Sequence, residues 1–527
     1  MNVKRTIFNC ASFVFGMLGV MILAIVLFAG NSTEYAFKNE KVSVHNLGLL
    51  LLGLLFMVFF LFVGYKLKSK LNGVCFHKLI CILSVILFVI EFFISYGIYL
   101  KTGWDAGILN EASDYMVQNP GENMYSSYYI EYPNNVFLLF LITVMKKISS
   151  LFSCNGYYLI LFFGVLINNI SILLVSLLLY KITNSKYISL VGWGIAVLLY
   201  GMSPWMCIAY SDTFSVLFSV LTLYIYALYR KKECPLSKKI GYVSIVPVLG
   251  YFIKPQCIIV LIAIALIELF GLNREKIRYI WSRKWKILLA FVQVGIAVIV
   301  LVGTAHIYTI VPIMSDSQKG MTHFVMMGLN EETNGTFSGE DASFTKSFPT
   351  KEEKRQANIE VIKERLSDMK GKRLALHTMK KVLVNFNDGT FVWGMEDGER
   401  FYTEEFNNLG EISEGLKKIF YNEGEYYEVF SCVEQAVWLV VLFLAIIFFF
   451  LKRRTKTNLE YIITLAIVGI SMFNMLFEAR ARYFYCYAPV FVIMACLTIN
   501  EIRCSFKEKC TDVNTKVERD ERNVCNK

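Results

Sequence analysis

Two short stretches carry the side chains that could do chemistry. The first opens with Trp104-Asp105-Ala106-Gly107 and closes with Tyr128-Tyr129-Ile130-Glu131-Tyr132-Pro133-Asn134-Asn135. The second is Glu478-Ala479-Arg480-Ala481-Arg482-Tyr483. A carboxylate such as Asp105 can take the proton of an attacking hydroxyl. Guanidinium groups such as Arg480 and Arg482 pair phosphate oxygens bidentately and stabilise charge on a departing phosphate. Two further polar features lie in apolar surroundings, Asp212 at the end of Ser203-Pro204-Trp205-Met206-Cys207-Ile208-Ala209-Tyr210-Ser211-Asp212, and Lys254 in Lys254-Pro255-Gln256. These residue types fit transfer of a group from a phosphate carrier to a hydroxyl. Asp105 and Asp212 are the catalytic candidates. Lys254, Glu131, Tyr132, Glu478, Arg480 and Arg482 are the substrate-binding candidates, and no metal ligands are assigned.

Each residue has a plainer reading. Asp105 could cap a helix starting at Ala106. The arginines could pair with Glu478 or reach to lipid headgroups, and Lys254 could do the same. Asp212 reads equally as a helix cap and Glu131 as a solvated loop charge. The tyrosines at 125, 128, 129 and 132 suit a membrane-interface belt. His323 stands alone and is not taken as a ligand.

The elements that must position these residues are membrane helices. Of the 527 residues 56% are hydrophobic, and the mean hydropathy is +0.50; soluble proteins are about 45–50% apolar. The apolar residues come in runs of roughly 17–25 with few charges, the length that crosses a bilayer as a helix. The net charge of +11 therefore reads as loop charge that sets orientation, not as a nucleic-acid surface. Most of the 13 cysteines lie in apolar runs or, as Cys504, Cys510 and Cys525, in the charged tail, without zinc-type spacing or a disulfide framework. Residues 1–29 read as a retained first helix.

Candidate spans lie at 7–29, 45–66, 79–99, 157–181, 187–203, 212–229, 240–254, 256–271, 286–311, 432–451, 459–477 and 483–500. The run 134–150 is ambiguous, and charge decides it. Lys4, Arg5, Lys66, Lys68, Lys70 and Lys78 place the acidic loop 100–133 outside, where from Lys101 to Asn135 five carboxylates face one lysine. The basic loops near 230–239, 274–286 and 452–456 all fall inside only if 134–150 does not cross. It is expected to lie at the outer interface. The fold class is then an all-α polytopic membrane protein of about twelve spans with juxtamembrane helices and one large extracytoplasmic loop domain. The organisation is 1–78, two additional N-terminal helices; 79–311, a membrane core; 312–431, the loop domain; 432–502, the last helices; and 503–527, a charged cytoplasmic tail. Both termini lie inside and the candidate site outside. Within 312–431, Pro349 to Leu366 reads as a charged helix and Leu374 to Phe386 as another. Asn387-Asp388-Gly389-Thr390 and Glu396-Asp397-Gly398-Glu399 read as turns.

An Asp after a membrane helix in the first outer loop, a Tyr-Pro opening a juxtamembrane helix and a late Glu-x-Arg-x-Arg-Tyr resemble the GT-C superfamily of membrane glycosyltransferases. The likeness is to the protein O-mannosyltransferase and aminoarabinose transferase type and covers about residues 79–500. The Tyr132-Pro133-Asn134-Asn135 form resembles a group of integral membrane proteins of Gram-positive bacteria. The resemblance implies a polyprenyl-phosphate sugar donor, inverting transfer and an outward-facing site, with Asp105 matching the catalytic carboxylate, Asp212 an aspartate of the next outer loop, and Arg480 and Arg482 the late arginines. There are departures. Tyr-Pro-Pro is replaced by Tyr132-Pro133-Asn134, and no second acidic residue follows Asp105, so donor or acceptor differs from the protein mannosyltransferases. The expected function is a hexosyltransferase of the cell membrane. Its acceptor is an envelope glycan, a teichoic-acid-like polymer, a lipid or a protein. No cofactor is required, and a divalent metal is compatible but not demanded. The alternatives are a polysaccharide polymerase or ligase using a diphosphate-linked glycan, and a non-catalytic lipid transporter. The transporter predicts charges at helix centres and repeat symmetry, and Glu91 is the main charge of that kind.

Overall fold

The computed structural model describes residues 2–30, 44–230, 235–393, 404–451 and 457–505. The expected turn at 396–399, the basic residues 231–234 and 452–456, and the tail from 506 lie outside the described residues. Where long apolar runs leave backbone groups without water, only the helix satisfies them locally. Such runs form α1 (Asn2–Ala29), α2 (Asn46–Asn72) and α3 (Phe76–Gly97). A two-residue strand β1 (Leu100–Lys101) leads to α4 (Asp105–Gln118), α5 (Ser126–Glu131), α6 (Val136–Leu151) and α7 (Gly156–Thr183). The Asn155 side chain caps α7, and Asn184, left-handed at φ 50°, ends it. Next come α8 (Lys186–Ala196), extended by the π turn Val197–Gly201, α9 (Ser211–Arg230), α10 (Leu236–Tyr251), α11 (Ile259–Phe270), α12 (Arg274–Ser282) and α13 (Lys284–Thr309).

The long loop folds as a helical unit of α14 (Met321–Gly328), α15 (Gly339–Lys346), α16 (Lys351–Asp368) and α17 (Lys372–Phe386), then strand β2 (Glu404–Glu405) and α18 (Glu411–Phe420). A capping box between Thr350 and Glu353 starts α16, two residues after the Pro349 at which the sequence places its helix. The chain closes with α19 (Tyr427–Phe450), α20 (Asn458–Leu476) and α21 (Ala481–Ser505). The last of these is the central post: 94% of its apolar window is buried, against 6% for peripheral α13.

Helices α3 and α7 run antiparallel. Tyr96 meets Tyr158 at 5.7 Å between ring centroids at one end, and Phe76 meets Tyr180 at 4.4 Å at the other. The intervening chain therefore starts and ends on one side. This agrees with the charge argument, although Pro133–Leu151 is by itself long and apolar enough to span. The loop domain covers that same end. Leu100 pairs antiparallel with Glu405 and Lys101 with Glu404, Asn408 donates to the Tyr96 carbonyl at 2.7 Å, and Asn387 donates to the Gly30 carbonyl at 2.8 Å.

The expectation is of about twelve spans. Among the described residues ten helices are long and apolar enough to cross, or eleven if the bent pair Pro255–Phe270 and Arg274–Ser282 counts as one. The runs 187–203, 240–254 and 256–271 form shorter elements: Lys186–Gly201, a 16-residue α10, and a 12-residue α11 behind the short 3-10 turn Pro255–Ile258. The reason is depth. Gly164, eight residues into α7, lies so close to the Met206 carbonyl that a Cβ would come within 2.6 Å. The turn after α8 thus sits roughly 12 Å along α7 from its first residue, at about 1.5 Å per residue. Hydropathy reports composition and cannot see where these helices end. Beneath this turn Glu91 is fully buried and accepts from Asn168 at 3.0 Å and Asn169 at 2.9 Å, while Asn168 also donates to the Tyr200 carbonyl. The mid-span charge therefore braces the recessed turn.

Candidate functional site

Asp105 is the first residue of α4, not its cap. The N-cap position is Trp104, and no side chain caps there. The tight entry needs Gly107, because a Cβ at this position would lie 2.1 Å from the Thr102 carbonyl oxygen. The half-buried Asp105 carboxylate points across the recess, where its Oδ2 accepts from the Tyr210 hydroxyl at 3.2 Å. Tyr128 lies close enough to the same carboxylate to feel its charge, and Asn135 donates to the Tyr128 hydroxyl at 3.3 Å. Burial first, then the nearby Tyr210 and Asp105, holds the Tyr128 phenol well above its ordinary range. The Tyr210 hydroxyl is therefore the donor and the Asp105 carboxyl oxygen the acceptor.

The two short hairpins meet beside this carboxylate. Asp212, in the first turn of α9, is fully buried, and its Oδ1 pairs with the Lys254 ammonium at the tip of the α10–α11 hairpin. Its Oδ2 is buried with no hydrogen-bond partner among the described residues. Asp212 is thus half of a buried ion pair and not a solvated cap. Lys254 also lies 5.1 Å from the centre of the Tyr483 ring, so it turns inward and does not snorkel.

Arg482 comes from the other end of the chain. It is buried at 8% exposure, with its guanidinium 4.6 Å from the Trp104 ring centre, 5.6 Å from Tyr210 and 5.7 Å from Tyr483. Trp104 and Tyr210 pack edge to face at 4.8 Å. Asp105, Asp212, Lys254 and Arg482 therefore form one cluster around three aromatic rings. Stacked guanidinium is attracted by the ring faces and keeps in-plane donors available.

The loop that carries Arg482 is gripped by the loop domain through its backbone. The Lys381 ammonium donates to the Gly328 and Phe477 carbonyls, each at 2.8 Å. Asn385 Oδ1 accepts from Arg480 N–H at 3.1 Å, and the Gly335 carbonyl from Ala479 N–H at 2.8 Å. Glu478 and Arg480 are half-buried here, with Glu478 in the electrostatic field of Lys381 and Tyr132. Burial pulls the Lys381 ammonium down to about 7.

Glu131 is no solvated loop charge either. Its carboxylate pairs with Lys346 at 2.6 Å and Lys319 at 3.5 Å. Lys319 donates to the Tyr132 hydroxyl at 2.6 Å and sits 4.5 Å from that ring's centre; Tyr132 packs on Tyr128 at 5.2 Å. Burial, with the charges of Asp105, Glu131 and Glu478 behind it, raises the Tyr132 phenol. The site thus has a further cation, Lys319, which sequence reasoning missed, as it missed Tyr210 and Lys381; Tyr128 was read only as an interface-belt residue. Tyr210 had a signal, lying in the polar break that ends at Asp212. The two lysines had none. Among the described residues no group of three or more His, Cys, Asp or Glu side chains is arranged to hold a metal. His323 has its Nδ1 2.8 Å from Thr345 Oγ1 and lies within the electrostatic reach of Lys319 and Glu131.

Comparison with known proteins gives one relationship. The family model described as "Conserved hypothetical integral membrane protein" matches residues 6–503. No curated protein and no solved structure matches the chain.

Proposed function

The chain belongs to the conserved hypothetical integral membrane protein family, and from that premise we propose that it is a GT-C-like glycosyltransferase of the cell membrane. It moves a sugar from a polyprenyl-phosphate donor to a hydroxyl of an envelope acceptor on the extracytoplasmic side. One observation carries the reading: a half-buried carboxylate and a buried guanidinium, Asp105 and Arg482, share Trp104 and Tyr210 as common neighbours.

The chemistry follows from that geometry. Asp105, oriented by Tyr210, takes the acceptor proton. The acceptor oxygen bonds to the anomeric carbon as the bond from that carbon to the phosphate oxygen breaks. The bond pair leaves with the polyprenyl phosphate, and Arg482 stabilises the charge, assisted by Arg480 in the same loop. The Asp212–Lys254 pair fixes the floor of the site and keeps a second cation near the departing phosphate. The turn after α8 lies beside α7 within the bundle, which supports a site reached by a lipid-borne phosphate.

The test compares membranes containing the native chain with membranes containing Asp105→Asn, using labelled polyprenyl-phosphate hexose and an envelope extract as acceptor pool, with and without chelator. Loss of transfer in the variant at equal expression supports the reading. Equal transfer in both removes Asp105 from the mechanism. Transfer only from a diphosphate-linked donor replaces the reading with a polymerase or ligase.

A further inference from the structure

The corner between α11 and α13 lies at the end of the bundle remote from the candidate site. The chain turns there by 115° between Pro255–Phe270 and Arg274–Ser282, and α12 packs no residue into the protein interior. Asn273 caps it by accepting from Lys276 N–H at 2.8 Å, so the helix is well formed although nothing covers it.

Its sequence is amphipathic. At about 100° per residue, Ile277, Ile280 and Trp281 fall on one face, and Arg274, Glu275, Arg278 and Ser282 on the other. The apolar face is open: Ile277 is 53% exposed, Trp281 69% and neighbouring Trp285 72%. From 274 to 286 the chain carries Arg274, Lys276, Arg278, Arg283, Lys284 and Lys286 against the single Glu275. The cations lie among the aromatics, with Lys284 4.4 Å from the Trp281 ring centre and Arg283 4.8 Å from that of Tyr279. No salt bridge among the described residues neutralises them.

We infer that α12 and the start of α13 form a binding surface for anionic phospholipid headgroups. The apolar face enters the headgroup–acyl boundary and the arginines and lysines meet lipid phosphates. An uncovered apolar stripe next to six cations fits an anionic lipid surface; a soluble acidic partner would leave the tryptophans exposed. The anchor bears on the site end. Peripheral α13 packs chiefly on α6 and α10. Its far end reaches the acidic loop, where Asn123 donates to the Thr309 carbonyl at 2.8 Å and Tyr308 packs on Phe140.

The experiment uses the full chain in nanodiscs of phosphatidylcholine alone or with phosphatidylglycerol. It compares native protein with the triple variant Arg278→Gln/Arg283→Gln/Lys284→Gln, and with Trp281→Ala. The readouts are melting temperature and bound phosphatidylglycerol by native mass spectrometry. Retention of the anionic lipid should fall roughly fivefold per cation removed, and about a hundredfold in the triple variant. The native melting temperature should rise with anionic lipid, and the triple variant's should not. Trp281→Ala should weaken retention in both low and high salt, whereas the charge effect should fade in high salt. Equal melting of the native chain in both bilayers, or an undiminished response in the triple variant, overturns the inference. The same rise produced by inorganic phosphate in neutral nanodiscs also overturns it, in favour of a free-anion site.

Discussion

The Tyr210 hydroxyl donates to Asp105 Oδ2 at 3.2 Å although 105 residues separate them. One residue comes from the acidic loop and the other from the recessed turn before α9. The bond therefore fixes how the loop sits over the recess and which carboxylate oxygen remains open to a substrate. Asp105→Asn should lower sugar transfer by at least about a hundredfold, the usual worth of a general base. Tyr210→Phe keeps the base and removes only its orientation. It should reduce transfer about tenfold, as expected for one hydrogen bond to a charged group. Initial rates in membranes at matched expression separate the two.

Arg482 gives a sharper test of chemistry than of charge. A lysine there keeps the positive charge but cannot grip phosphate through two parallel N–H groups. Arg482→Lys should cut transfer about tenfold, and Arg482→Ala further, with the larger share of the loss in kcat. Rates equal to native in Arg482→Lys would mean that any cation at this place suffices.

Sequence reasoning reached Asp105, Asp212, Lys254 and Arg482 for a physical reason: charges beside long apolar runs are costly and stand out. It also put 134–150 at the outer interface, because loop charge counts sides, whereas by length and apolarity Pro133–Leu151 is a candidate span. It could not tell that Asp212 would close on Lys254, since that depends on two hairpins stopping at the same depth. The count of about twelve spans differs from the ten or eleven long apolar helices among the described residues at those hairpins, where the helices are shorter. Lys319 and Lys381 were invisible because the loop domain is rich in lysine, and only packing distinguishes a buried one from a solvated one. The capping role offered for Asp105 was locally reasonable, and tertiary contact with Tyr210 and Tyr128 replaced it.

The Asp212–Lys254 pair is buried at both ends, so its partners are unequal to its removal. Lys254→Met leaves a carboxylate without its counter-charge and should cost about 3–5 kcal/mol of stability. Adding Asp212→Leu removes the stranded charge and should recover at least half of that. Thermal unfolding of the purified chain in detergent provides the double-mutant cycle. Additive losses would show that the two charges do not act as a pair.

Lys381 ties stability to pH through the loop that bears the arginines. Folded, its ammonium titrates at about 7 because burial disfavours the charge; the ordinary value is 10.5. Between those values the unfolded chain holds a proton that the folded chain has released, so this group makes stability rise as pH increases from about 7 to about 10.5. Below pH 7 both forms are protonated, and its contribution is constant at its least favourable. Lys381→Met keeps the buried stem and deletes the titration. The melting temperature of the native chain relative to this variant should therefore climb from pH 7 to pH 10 and stay level from pH 5 to pH 6.5. The variant also loses the donors to the Gly328 and Phe477 carbonyls, which frees the backbone leading to Arg480 and Arg482. Transfer should therefore fall at every pH, and Lys381→Arg, which restores donors, should recover part of it. A native-minus-variant difference that does not change across pH 7–10 would mean that Lys381 keeps its proton in the folded chain.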